Sequence, residues 1–162
     1  MNQITPAFTF ANLLVYNSLS AFARIEGNSS NPFLSGMVKF YETEFNGILV
    51  EAEIFGLPND NSQYSSKFYG FHIHENGDCS NAFTNTGNHY NPKSSPHPYH
   101  AGDFPALLGN NGYAWCSFFD VRLTINEIIG RSVIIHDMAD DFTTQPSGNS
   151  GTKIGCGVIY QV

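Results

Sequence analysis

Five of the six histidines in this 162-residue chain fall between Gly70 and Asp103, in the stretch GFHIHENGDCSNAFTNTGNHYNPKSSPHPYHAGD. They are His72, His74, His89, His97 and His100; the sixth, His136, closes the apolar run SVIIH. Imidazole is the commonest metal-ligating side chain and suits copper and zinc in particular. A lone loop histidine is usually just solvated, but six gathered around one strand and one loop read as a metal site. In Phe68-Tyr69-Gly70-Phe71-His72-Ile73-His74 alternate side chains of a strand would point to opposite faces. His72 and His74 then share one face and can hold an ion from one side, while Phe71 and Ile73 turn to the core. Asn76-Gly77-Asp78 ends that strand. From there to Asp103 no periodicity is sustained, and so long an irregular segment in a compact domain is functional or disordered. Four more candidate ligands, His89, His97, His100 and Asp103, favour a functional loop ordered by metal bonds, and the carboxylate three residues after His100 completes a nitrogen-and-oxygen set that suits zinc.

The elements that must position these residues read as short strands separated by turn chemistry. Ala21–Gly27 closes on Asn28-Ser29-Ser30-Asn31-Pro32, and Leu34–Tyr41 follows. Ile48–Phe55 alternates apolar and acidic residues as a half-buried strand does, and Gly56-Leu57-Pro58-Asn59-Asp60-Asn61-Ser62 breaks it. Beyond the histidine loop come Tyr113–Leu123, Glu127–His136 and Lys153–Val162, with a helical turn expected only near Thr124–Ile129. The expected class is all-β, an antiparallel Greek-key barrel or sandwich of about eight strands carrying long loops.

Length allows one domain with a real core. A formal net charge of −7 with only 13% charged residues argues against nucleic acid and anionic membrane surfaces as partners, and no apolar run reaches the ~20 residues of a spanning helix. Residues 1–20 are mildly apolar but carry no Lys or Arg and make a poor secretory signal. They are expected to pack on the domain formed by 21–162 or to add an edge strand, and the expected compartment is the cytoplasm (host cytosol or virion if virus-encoded, given a composition rich in Asn, Ile, Phe and Tyr that suits an AT-rich genome). Of three cysteines, Cys116 sits in the apolar run YAWCSFF and reads as a buried free thiol. Cys79 and Cys156 could bridge, closing nearly half the chain, or stay reduced; composition leaves both open.

With those residues in place, the chain resembles the copper/zinc superoxide dismutases from about Ala21 to Val162. The resemblance rests on GFHIHENGDC, GNHYNP, HAGD, VIIHDMADD and GNSGTKIGCGVI, in that order. It implies copper held by His72, His74, His89 and His136, and zinc held by His89, His97, His100 and Asp103, with His89 bridging the two ions. It further implies a carboxylate, Asp140, linking ligands of both metals, a Cys79–Cys156 disulfide, and superoxide as substrate, converted to oxygen and hydrogen peroxide. His89 and Lys153 become the catalytic residues, and a homodimer and a copper chaperone the expected partners. Three departures stand out. Lys153 occupies the place where the family usually has an arginine that docks superoxide. Only Pro98 and Tyr99 separate His97 from His100, where the family commonly has several more residues. The segment 141–153 is short and nearly uncharged. Two other readings compete: a non-catalytic relative that binds metal or a copper-delivery partner, and a zinc hydrolase using Glu75 as base, disfavoured because Glu75 is expected to face away from His72 and His74.

Overall fold

The computed structural model describes residues 6–59 and 66–162; Asp60-Asn61-Ser62 of the expected turn and the first five residues of the expected extension lie outside the described residues. Nine strands are described: β1 (Ala21–Gly27), β2 (Ser35–Glu42), β3 (Ile48–Phe55), β4 (Ser66–Tyr69), β5 (Phe71–His74), β6 (Leu107–Asn110), β7 (Ala114–Asp120), β8 (Ser132–His136) and β9 (Lys153–Gln161). Seven form one antiparallel sheet in the order β5-β8-β9-β1-β2-β3-β7, and β4 pairs with β6 in a separate ribbon. Neighbours distant in sequence, such as β3 beside β7 and β9 beside β1, are the crossovers of Greek-key topology. Alternation along β3 explains its place: Val50, Ala52 and Ile54 are buried, whereas Glu51 is half-buried and Glu53 and Phe55 are exposed. Ile25, Val38, Val50, Ile73, Ile135 and Ile159, from six different strands, share one contiguous core, so the sheet curls around it.

Two strands behave differently. Every residue of β5 and β8 is buried, because one face meets the core and the other lies beneath loops. That second face carries His72, His74 and His136. The expected single strand 68–74 is in fact split at Gly70: β4 leaves with β6, while β5 pairs with β8 through Phe71↔Ile135 and His72↔Ile134. The break arises because Gly70 bonds out of line, its N–H to Met138 O and its carbonyl to His136 N; a Cβ there would press on Ser150 and His136.

The expectation of no helix outside Thr124–Ile129 holds at one place and fails at another. Ile125–Ile128 (α2) is a single turn with a capping box between Thr124 and Glu127. Pro6–Tyr16 (α1), however, is an eleven-residue helix. Pro6 suits the first helical position, and Asn17, left-handed at φ 50°, ends it with the paired bonds Ser18 N→Leu13 O and Asn17 N→Leu14 O. Its apolar residues run almost all round the helix, which hides the 3.6-residue period. Phe10 anchors it, stacked on Phe119 at 4.9 Å and edge-on to Phe45 at 5.6 Å. Among the described residues no helix is long and apolar enough to cross a membrane.

Cys79 and Cys156 are joined in a disulfide, over a small cluster of Phe83 and Ile134. It fastens the start of the histidine loop to β9. Cys116 is free, as expected, but half-buried because β7 is the sheet's outermost strand. Burial pushes its thiol up to about 11, so it stays protonated near neutrality.

Candidate metal centre

The two strands and two loops bring all six histidines together. His72, His74, His89 and His136 form one group of four ligand atoms, and His89, His97, His100 and Asp103 a second, the atoms of each lying within 4.8 Å of one another and every residue buried. His89 belongs to both. His72 and His74 come from β5 and His136 from the end of β8, while an isolated bridge His74↔His89 and another, His72↔Asp103, lay the loop back across the strand.

Hydrogen bonds fix which nitrogen of each ring faces inward. His72 Nε2 lies 2.9 Å from Asp140 Oδ2, His74 Nδ1 lies 2.9 Å from Gly87 O, and His136 Nδ1 lies 3.3 Å from Gly151 O. A carbonyl or carboxylate oxygen can only accept, so each of these nitrogens carries the ring's proton. The other nitrogen of each neutral ring is then a bare lone pair. His136 Nε2 and His74 Nε2 meet at 3.4 Å, two acceptors facing one another with nothing of the protein to bond. His72 Nδ1, His89 Nε2, His97 Nδ1 and His100 Nδ1 are likewise buried without a hydrogen-bond partner. His97 Nδ1 and His100 Nδ1 approach Asp103 at 3.1 and 3.3 Å without hydrogen-bond alignment, as ligand atoms converging on a common point do. Each buried unpaired group costs about 1–3 kcal/mol, and a bound cation would satisfy them together.

Asp140 joins the groups. Its Oδ2 accepts from His72 and its Oδ1 from His97 Nε2 at 2.8 Å and from Phe142 N at 2.7 Å. Burial would raise its pKa, but those donors prevail and hold the carboxyl well below its ordinary range. Gly148, at φ +65°, passes so close that a Cβ would collide with Asp140 Oδ1 and His97 Nε2. Gln145 makes a reciprocal pair with the His97 backbone, accepting from His97 N at 2.9 Å and donating to His97 O at 2.7 Å. His97, on the shortened loop, is therefore fixed at ring and backbone.

The first group opens into a cavity of about 530 Å³ lined by His74, His89, His100 and His136, with Lys153 as the one cation among its lining residues. Lys153 Nζ donates to Thr86 Oγ1 at 2.8 Å, Gly87 O at 2.9 Å and Phe83 O at 3.4 Å. It shares the Gly87 carbonyl with His74, tying cation and ligand ring to one point on the disulfide-fastened loop. Burial lowers its pKa, with Glu75 pulling the other way. Glu75 lies on the cavity wall, contrary to the expectation that it faces away: it follows the end of β5, and its Oε2 accepts from Asn88 N. Sequence reasoning also overlooked Gln145, Gly148 and Arg122; the only local signal was the Asp120-Val121-Arg122 pairing at the end of β7.

Burial also depresses the histidines themselves, His72 to about 4, His136 to about 3 and His74 well below 6.5. Unfolded rings titrate near 6.5, so below that pH the unfolded chain binds more protons and the metal-free fold weakens as pH falls. For His72 alone the loss between about pH 6.5 and 4 amounts to roughly 3 kcal/mol. Melting the metal-free protein from pH 7.5 to 4.5 should show a steep fall in Tm; a flat profile would contradict neutral, buried rings.

Fold and site together define a class: an antiparallel Greek-key protein with two adjacent ligand clusters sharing one imidazole. The family described as copper/zinc superoxide dismutase (SODC) matches residues 34–159. The chain is 32% identical over 158 residues to superoxide dismutase (Cu-Zn) 3 of Arabidopsis thaliana, covering 88% of this chain and 90% of that protein. It is 32% identical over 173 residues to the Cu-Zn superoxide dismutase of Paramecium bursaria Chlorella virus 1, covering 96% and 86%. Among solved structures, the clock protein EA4 superposes with a TM-score of 0.75 at 29% identity, covering 90% of this chain and 96% of that one. A double mutant of a SOD-like protein from Bacillus subtilis gives 0.75 at 28%, covering 86% and 96%. The chain belongs to the copper/zinc superoxide dismutase family.

Proposed function

We propose that the protein is a copper/zinc superoxide dismutase, with copper held by His72, His74, His89 and His136 and zinc by His89, His97, His100 and Asp103. One observation supports this most: the three outer rings of the first group each have their far nitrogen tied to a protein acceptor, leaving inward lone pairs free to ligate a common cation. Copper, when bound, would supply a Cu(II)/Cu(I) couple able to oxidise one superoxide to oxygen and reduce the next to hydrogen peroxide, beside a zinc ion without redox chemistry.

The chain's own groups supply the rest. His89 Nδ1 lies 2.7 Å from Asp103 Oδ1, which anchors the ring on the second group's side. Its Nε2, buried and free of protein partners, is the atom placed to carry a proton to the product. Asp140 orients His72 and His97 from behind. Lys153, at the cavity wall, offers positive charge to an incoming anion. The reading takes a second copy of the chain and a copper chaperone as partners. Its rival, a metal-binding relative without turnover, draws on the descriptions of two similar structures as a clock protein and a SOD-like protein. Loading the purified protein with copper and zinc and measuring superoxide removal with stoichiometric peroxide decides between them: rapid removal is expected, and a copper-loaded protein without it would overturn the enzyme reading.

Lys153 gives a sharper test of docking. Its single charge lacks the planar two-pronged donor of arginine, and no other cation lines the cavity among the described residues. Lys153→Gln should lower the second-order rate about 10-fold at low salt and flatten its dependence on ionic strength. Lys153→Arg should raise the low-salt rate; a drop would count against the docking role.

A further inference from the structure

Only Pro98 and Tyr99 lie between His97 and His100, so the loop that carries the second ligand group has little chain of its own with which to hold its shape. A single turn supplies two of the four ligands. Asp103 N bonds to His100 O at 3.2 Å, and His100 N bonds back to Asp103 Oδ2 at 3.0 Å. Both side chains of this turn point into the cluster, and both carbonyls point out of it, towards one guanidinium. Arg122 donates through Nη1 to His100 O at 3.0 Å and through Nη2 to Asp103 O at 2.6 Å. The same guanidinium is gripped from its other edge by Asp120, with Nε 3.1 Å from both carboxylate oxygens and Nη2 2.6 Å from Oδ2. Asp120 is buried at the end of β7 and also accepts from Arg122 N at 2.7 Å.

We propose that Arg122, braced by Asp120, is the positioning residue of the second metal site: it replaces the missing length of the loop by fixing the His100–Asp103 turn to the barrel from outside. The inference rests on reading the second group as a metal site. The geometry needs arginine. Five donors in a rigid plane reach two carbonyls on one side and a carboxylate on the other, whereas a lysine ammonium is a point donor that cannot span both. With the fork removed, the turn would keep its internal bonds but lose its fixed angle to His89 and to His97, whose ring is held by Asp140 and whose backbone is held by Gln145. Metal at the second group should then be held less tightly and in a distorted field, while the first group, whose rings are oriented by Asp140, Gly87 and Gly151, should be untouched.

The test uses cobalt(II) as probe, added after copper has filled the first group, in the wild type, Arg122→Gln and Arg122→Lys. Chelator competition should show cobalt affinity lowered about 10- to 100-fold in Arg122→Gln, the range seen when partners of metal ligands are removed, with Arg122→Lys between it and the wild type. The visible cobalt bands should broaden or shift in the same order, and the copper band and copper affinity should not change. Wild-type cobalt affinity and spectrum in both variants would overturn the proposal even if Tm fell, because a purely structural link lowers stability without altering the ligand field. Should Arg122→Gln fail to fold, Arg122→Lys alone carries the comparison. A wild type that takes copper but no cobalt would overturn the metal reading of the second group, and this inference with it.

Discussion

Replacing His136 with glutamine is expected to remove at least about 100-fold of the superoxide-removing activity, since even the loss of a partner behind a metal ligand costs 10- to 100-fold and His136 would be a ligand itself. The effect should be specific to the first group. His136 reaches that group from β8, at a bulge between Ile135 and His136, and its Nε2 faces His74 Nε2. It does not belong to the second group. His136→Gln should therefore lose copper affinity and the copper absorption band while retaining a cobalt-binding second group. His89→Gln should damage both groups, because His89 alone belongs to each. Equal activity in His136→Gln and wild type, with copper bound, would sink the assignment of that ring as a ligand. Glutamine keeps much of the ring's volume, so a cavity in the packed strand contributes little to the comparison.

Removing the Cys79–Cys156 bridge should have the largest effect on stability. The cysteines are 77 residues apart, and closing a loop of that length is worth about 4 kcal/mol in the chain-entropy model. For a domain of this size the double variant Cys79→Ala/Cys156→Ala should melt about 10 °C lower or more. A functional loss should accompany the thermal one. The bridge fastens the segment whose Thr86 and Gly87 receive Lys153 Nζ, and Gly87 O also orients His74. Freed from β9, that segment would let both Lys153 Nζ and the His74 ring drift. Activity measured at 25 °C, well below the melting range of the variant, should fall together with copper affinity. Unchanged activity at that temperature would mean that the bridge stabilises the fold without shaping the site.

Local pattern carried much of this structure. β1 and β3 begin and end where turn residues and alternation place them, and six histidines crowded about one strand announced their chemistry. What stayed hidden depends on contacts between distant segments. The split at Gly70 follows from bonds to Met138 and His136, more than sixty residues on. β6 is four residues long and pairs with the equally short β4, too short for its pattern to stand out from the loop that precedes it. Helix α1 is anchored by Phe10 against β7, and its apolar residues run almost all round it. Arg122 and Gln145 act on His100, Asp103 and His97 through backbone atoms, and a side chain that recognises main chain leaves no trace in the sequence it recognises. Glu75 escaped for a different reason: alternation assigns faces only while the strand lasts, and β5 ends at His74.

The central claim is that one imidazole stands between two ions of different chemistry. Crystals of the protein loaded with copper and zinc, measured at the absorption edges of both metals, test it most directly. Two separate anomalous peaks are predicted, copper among His72, His74, His89 and His136 and zinc among His89, His97, His100 and Asp103, with His89 Nε2 directed at the first and Nδ1 at the second. A single peak, a His89 ring that reaches only one ion, or His136 turned away from the copper would contradict it.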